Sequence, residues 1–324
     1  VADQADKLRA LASQVRQAGA GAATLAGGRT SNGLKKALAQ AAPKPLKNPF
    51  GRARARVITV SSGKGGVGKT NLSVNLALSL RKLGKEVILF DADLGLANAD
   101  ILLGMSTRHN LQHFFQGKKS LQEIMSEGPL GLKVIASGNG IAQMANLNGQ
   151  DRERMLSHFS LIEEKADVIV VDTGAGISKN VLSFAMAADE CLIVTTPEPT
   201  ARLDAYGLIK VLNQEGFEGV TRLVVNMTED SNEGQEVGKL METLATRFLH
   251  ARVEYLGCVP RDKNVLKAVR MQEPFILAFP DCAASKAVSN LASRLVELPE
   301  PPQGVGGGFR AFFERVGSMI KMQN

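Results

Sequence analysis

Eight consecutive residues, Gly63-Lys64-Gly65-Gly66-Val67-Gly68-Lys69-Thr70, fit G-x-x-x-x-G-K-[ST], a spacing that holds phosphate. The glycines let backbone N–H groups turn inward around phosphate oxygens, and a helix starting there adds the positive end of its dipole. Lys69 is placed to reach the β- and γ-phosphates of a nucleotide, and the Thr70 hydroxyl to ligate Mg²⁺. Three carboxylates close apolar runs further on: Asp91 and Asp93 after Val87-Ile88-Leu89-Phe90, and Asp172 after Val168-Ile169-Val170-Val171. Carboxylates at strand ends beside a phosphate loop suit a metal ion or an attacking water. A lone strand-terminal Asp also serves as a helix cap.

A phosphate loop needs a strand before it and a helix after it. Val57-Ile58-Thr59-Val60 supplies the strand, and the spacing of Leu72, Leu76, Leu80 and Leu83 predicts the helix. Further apolar runs at 133–136, 168–171, 191–195, 222–225 and 253–258 alternate with helix-like stretches. Continuous apolar strands between helices predict an α/β fold, a mostly parallel twisted sheet with helices on both faces. Residues 1–18 predict a short helix with Leu8, Leu11 and Val15 on one side; 19–56 read as a basic flexible linker; 57–302 form the P-loop domain. Residues 303–324 read as a Gly-rich linker and a last amphipathic helix.

The chain's net charge of +7 over 324 residues hints at nucleic acid, but it is unevenly placed. Residues 1–56 carry 11 Lys/Arg against 2 Asp/Glu, a net of +9; residues 57–302 carry 25 against 29, a net of −4. The basic character belongs to an arm, and nucleic acid is not an expected partner of the body. Cys191, Cys258 and Cys282 are far apart and odd in number, which argues against a disulfide framework and for a reducing, cytoplasmic compartment. With no run of about 18 apolar residues and no basic-then-apolar start, neither a membrane span nor a secretory signal is expected.

The second lysine of the loop, Lys64, makes Lys64-Gly65-Gly66-Val67-Gly68-Lys69-Thr70 resemble the deviant Walker A motif of the MinD/ParA class of ATPases. The resemblance implies ATP and Mg²⁺ as cofactors, and a homodimer in the ATP-bound state. In that dimer Lys64 crosses to the other protomer's phosphates and Asp204 meets it. It implies that Asp93 positions the attacking water, that Asp172 holds Mg²⁺ through water, and that Asp91 contacts the Mg²⁺ shell or the loop. Asn226 then reads the adenine edge, Pro260, Arg261 and Asp262 line the base pocket, and Glu198 reaches ribose. Gly174 departs from the D-T-A-A-G that many relatives carry, which loosens the backbone there.

Within the class, the stretch from Asp91 to Gly104 is similar to D-A-D-L-G-L-A-N-x-D-x-x-L-G of the FlhG/FleN/YlxH regulators of flagellar number. Glu198-Pro199-Thr200 with Asp204-Ala205-Tyr206 resembles their E-P-T…D-A-Y segment, and Asp3-Gln4-Ala5 with Leu8-Arg9 fits D-Q-A-x-x-L-R. That last motif implies stimulation of an FlhF-type GTPase, with Gln4 acting at the GTP site, Leu8 docking and Arg9 as a polar contact. A flagellar switch (C-ring) protein and a flagellar transcription activator are further partner classes.

Phe309, Phe312, Phe313, Val316, Met319 and Ile320 form one helical stripe flanked by Arg310, Arg315 and Lys321. A helix of about 14 residues suits the interface of an anionic membrane, at the inner face of the cytoplasmic membrane and at the cell pole, or packing back on the domain. The resulting expectation is an ATP hydrolase that switches between monomer and membrane-bound dimer. The alternatives are a MinD-like division-site regulator and a ParA-like DNA-partitioning ATPase. A nitrogenase-reductase-like protein is set aside because the three cysteines do not match its bridging positions.

Overall fold

A computed structural model describes residues 54–93, 98–138, 156–160, 162–163, 165–298 and 308–322. Gln4, Leu8 and Arg9, the 19–53 linker and the Gly-rich 303–307 stretch lie outside the described residues.

Eight strands make one sheet: β1 (Arg56–Ser62), β2 (Val87–Asp91), β3 (Ser126–Glu127), β4 (Lys133–Ala136), β5 (Val168–Ala175), β6 (Glu190–Thr195), β7 (Val220–Thr228) and β8 (Val253–Pro260). Their order is β3-β4-β2-β5-β1-β6-β7-β8. Every adjacent pair is parallel except β3 with β4. The strands form where the sequence is apolar and β-branched, a composition that suits burial on both faces. The chain runs from β1 outward to β2 on one side and later to β6 on the other, which opens a crevice at the carboxyl end of β1.

Side chains alternate along each strand between two cores. Ile58, Val60, Leu89, Val170 and Val194 face one layer, built by α1 (Lys69–Lys82) and the later helix that carries Val288, Leu291 and Leu295. Val57, Phe90, Ile169 and Val171 face the opposite layer, and Ile193, Leu223 and Val225 continue that face towards the β8 edge. The remaining long helices are α2 (Lys179–Ala187), α3 (Pro199–Gln214), α4 (Ser231–Leu244), α5 (Lys263–Met271), α6 (Ala283–Glu297) and α7 (Phe309–Met322).

α7 is part of the second layer. Phe309, Phe312, Phe313 and Val316 are fully buried, Ile320 nearly so, and Met319 partly. Phe313 stacks on Phe159 at 4.2 Å and meets Phe90 edge-on at 5.4 Å, while Phe312 lies 6.0 Å from Phe184. The Arg315 Nε donates to the Ala187 carbonyl at 2.9 Å, tying α7 to the end of α2. The apolar stripe read from the sequence as a membrane or docking face is therefore docked here. Burying each Phe contributes about 1.5–3 kcal/mol to the docked position of this 14-residue helix. Among the described residues no helix is long and apolar enough to cross a membrane.

Candidate functional site

The phosphate loop leaves β1 at Ser62 and enters α1 at Lys69. Gly66 and Gly68 adopt left-handed backbone, φ 81° and 85°. Gly63 has a different reason to be glycine: a Cβ there would lie 2.2 Å from the Asp204 carbonyl oxygen and 2.8 Å from the Ala205 nitrogen. Backbone thus meets backbone, and the loop rests directly on α3. From the other side, the Asn226 side-chain amide donates to the Val67 carbonyl at 2.8 Å. Asn226, expected to read the base, is in this structure also a clamp on the loop.

Lys69 and Asp172 come together at the centre. The Lys69 Nζ lies 3.0 Å from Asp172 Oδ1, with both side chains buried, at 8% and 1% exposure. The Ser73 hydroxyl donates to the same oxygen at 2.8 Å. Asp172 Oδ2 is buried and has no hydrogen-bond partner among the described residues. An acceptor without a donor, on the carboxylate that meets Lys69, fits a hard cation or its water shell. The residues present therefore suit Mg²⁺, with Thr70 and Asp172 as the oxygen donors.

Asp91 sits directly across from Asp172 in the β2–β5 register. Its Oδ1 accepts the Asp93 N–H at 3.1 Å, and its Oδ2 accepts the Asn98 and Ala99 N–H groups, each at 3.1 Å. Burial, followed by the Asp172 charge, pushes its carboxyl up to about 7 despite those bonds. Asp91 thus holds the backbone at Asp93 and at Asn98 and Ala99, a positioning role beside any at the Mg²⁺ shell. Asp93 is half-buried at the mouth of the same crevice, close to Gly174.

Gly174 is the penultimate residue of β5 and lies outside the left-handed region. A methyl there would lie 3.4 Å from Val181 Cγ2 and 3.8 Å from Asp93 Oδ1, both ordinary contacts. Gly174→Ala should fold, gain about 0.4–1 kcal/mol through the unfolded chain, and keep nucleotide affinity. Thermal melts with a nucleotide titration check this; a loss of stability would show that the segment needs glycine.

The Lys64 Nζ reaches Glu198 Oε2 at 3.3 Å and Thr200 Oγ1 at 3.0 Å at the start of α3, so Lys64 and Glu198 pair within one protomer. Both are well exposed, and such a pair is worth about 0–1 kcal/mol, little obstacle to rearrangement. Asp204 is half-buried on α3, next to the loop through its own backbone. Pro260 is half-buried and Arg261 exposed, with the Arg261 N–H donated to the Thr228 carbonyl at 2.7 Å. The Asp262 carboxylate caps α5 by accepting the Asn264 N–H at 2.9 Å and also accepts the Ala284 N–H of α6 at 3.3 Å. Burial works to raise its pKa, but those N–H groups hold it below the usual range. Its side chain is used structurally, as a cap of α5 and a tie to α6.

Sequence reasoning missed Ser73, and also the buried Ser61–Thr173 hydroxyl pair, 3.0 Å apart, which links β1 to β5 beneath the loop. Ser73 was findable: it lies four residues after Lys69, on the same helix face. The Ser61–Thr173 pairing depends on strand order and carries no local signal.

Comparison with known proteins agrees with this geometry. The ParA family model, described as NUBPL iron-transfer P-loop NTPase, matches residues 54–296. Antiactivator FleN of Pseudomonas aeruginosa is 42% identical, over 77% of this chain and 90% of its own length. The flagellum site-determining protein YlxH of Helicobacter pylori is 33% identical, over 84% of this chain and 94% of its own. Among solved structures, the MinC:MinD cell division protein complex of Aquifex aeolicus superposes with a TM-score of 0.60 at 29% identity, covering 77% of this chain and 99% of that one. A phosphate loop with its carboxylates at the crevice of a parallel sheet, and relatives alike along most of their length, lead to one assignment: the chain belongs to the MinD/ParA family of P-loop ATPases, with the flagellar regulators FleN and YlxH.

Proposed function

We propose that the chain is an ATP-driven switch that sets flagellar number and placement. The observation that carries this reading is the meeting of Lys69 with Asp172, whose second oxygen lacks a partner among the described residues, in a chain 42% identical to FleN. ATP binds with its phosphates on residues 63–70, Lys69 meets the β- and γ-phosphates, and Thr70 and Asp172 hold Mg²⁺, which neutralises phosphate charge. Asp93 orients the attacking water. Two protomers then close on the nucleotides: Lys64 leaves Glu198 and crosses to the facing phosphates, where Asp204 meets it, while Glu198 turns to ribose. Asn226 and the backbone of Pro260, Arg261 and Asp262 hold adenine.

In the dimer, α7 leaves the body and its Phe309, Phe312, Phe313, Val316, Met319 and Ile320 stripe enters an anionic membrane surface. One short helix binds weakly; two on a dimer add through effective concentration and couple the ATP state to membrane residence. This places the protein on the inner face of the cytoplasmic membrane, at the cell pole. Gln4, Leu8 and Arg9 stimulate an FlhF-type GTPase, and a C-ring protein or a transcription activator receives the switch.

Co-sedimentation with anionic liposomes tests the switch. Wild type should bind with ATP and not with ADP. Asp93→Ala should bind at least as well with ATP, Lys64→Ala should bind less, and a chain ending at Gly308 should not bind. Equal binding in ATP and ADP would sink the switch. For the N-terminal arm, a 1–18 peptide should raise GTP turnover by the partner, and Gln4→Ala should abolish the rise.

A further inference from the structure

We infer that Ser73 is the positioning residue for the Asp172 carboxylate, the partner that keeps it aimed at Mg²⁺ when Lys69 turns to phosphate. The inference rests on the nucleotide site proposed above and adds a residue that the phosphate-loop motif does not include.

Ser73 lies one helical turn beyond Lys69 on α1 and is fully buried. Its hydroxyl has two acceptors in reach: Asp172 Oδ1 at 2.8 Å and the Lys69 carbonyl at 3.1 Å. A hydroxyl carries one proton, and the charged, nearer acceptor takes it. Asp172 Oδ1 therefore has two donors, Ser73 Oγ and Lys69 Nζ, while Oδ2 has none among the described residues.

The two donors differ in what nucleotide does to them. Lys69 is the lysine of the phosphate loop, and phosphate competes for its ammonium. Ser73 is fully buried one turn further along α1, with its hydroxyl directed at Asp172 of β5 rather than at the phosphate loop's glycines. When Lys69 is drawn away, Ser73 is the donor that stays. At 1% exposure the carboxylate has no bulk water to replace a lost donor. Without the hydroxyl it can turn about its Cβ–Cγ bond, and the oxygen meant for the cation loses its aim. A buried carboxylate held by one neutral hydroxyl is thus divided between a protein-facing and a cation-facing oxygen.

The test uses the full chain, with Ser73→Ala and Ser73→Thr, and follows release of a fluorescent ADP analogue with Mg²⁺ or with EDTA. In wild type Mg²⁺ should slow release. Ser73→Ala should raise the Mg²⁺ concentration for half-maximal slowing about tenfold, the size of one lost hydrogen bond to a charged group. Its release rate in EDTA should stay at the wild-type value, because the phosphate loop itself is untouched. Ser73→Thr, which keeps the hydroxyl, should restore the Mg²⁺ response, with thermal melts showing that each variant is folded. Equal shifts in Mg²⁺ and EDTA would assign Ser73 to packing and overturn the inference, as would an unchanged Mg²⁺ response in Ser73→Ala. A wild type whose ADP release ignores Mg²⁺ would overturn the nucleotide reading beneath it, a separate and recognisable failure.

Discussion

Glu190→Gln should cost about 3–5 kcal/mol of stability, the expected loss when a buried ion pair is broken by removing one partner. Glu190 opens β6 with its side chain at 1% exposure. It pairs with Arg56 of β1 on one side and with Arg222 of β7 on the other. Arg222 also reaches Glu254 of β8 at 3.4 Å, and Arg56 Nη1 donates to the Leu295 carbonyl of α6 at 2.7 Å. Four adjacent strands and a covering helix are thus joined at the amino ends of the strands, opposite the phosphate loop. Burial, followed by the nearby Arg56 charge, pushes the Arg222 guanidinium down to about 10, so it remains charged at neutral pH. Glutamine keeps the shape but leaves two guanidinium groups without their shared anion. Urea unfolding should show a lower midpoint with an unchanged slope, and nucleotide affinity of the folded fraction should stay the same. A loss below about 1 kcal/mol would mean that Glu254 and water suffice to hold the two arginines.

That cluster also marks where the sequence stops being informative. The seven apolar runs are visible because a strand buried on both faces must be apolar throughout. The phosphate loop and the Asp91 and Asp172 positions are visible because their chemistry is local to a strand end. The β3 strand, Ser126–Glu127, is too short and too polar to carry a pattern. The Arg56–Glu190 pair spans 134 positions and exists because β6 lies beside β1 and β7, an order that no local spacing encodes. Asp262 illustrates a different limit: a carboxylate after a strand reads alike as ligand and as cap, and only the Asn264 and Ala284 N–H groups decide. The tail shows the same ambiguity for apolar residues. A stripe with helical period fits any apolar surface, lipid or protein, and Phe90, Phe159 and Phe184 supply the protein one.

Phe159→Ala should therefore free α7 without altering α7 itself, and make liposome binding appear in ADP. Phe159 is fully buried, stacked on Phe313 with planes 8° apart and edge-on to Phe309 at 5.0 Å. Losing a buried phenyl costs about 3–5 kcal/mol, and each aromatic pair about 0.5–1.5 kcal/mol within that. Much of the loss falls on the docked state of α7, since two of the ring's close neighbours are on that helix. The strands and the phosphate loop keep their own packing through Val57, Ile169 and Val171. The docked and membrane-bound positions of α7 compete for one apolar stripe, so weakening the first strengthens the second by the same free energy. Wild type in ADP should stay in the supernatant, whereas Phe159→Ala in ADP should pellet with anionic liposomes. Phe313→Asp supplies the contrast: it disrupts docking but also puts a charge in the stripe, so it should bind liposomes in neither state. Hydrogen exchange over 309–320 should rise in both variants. If exchange rises in Phe159→Ala and ADP-state binding does not, the stripe is a core element of the body, and the membrane reading of α7 falls with it.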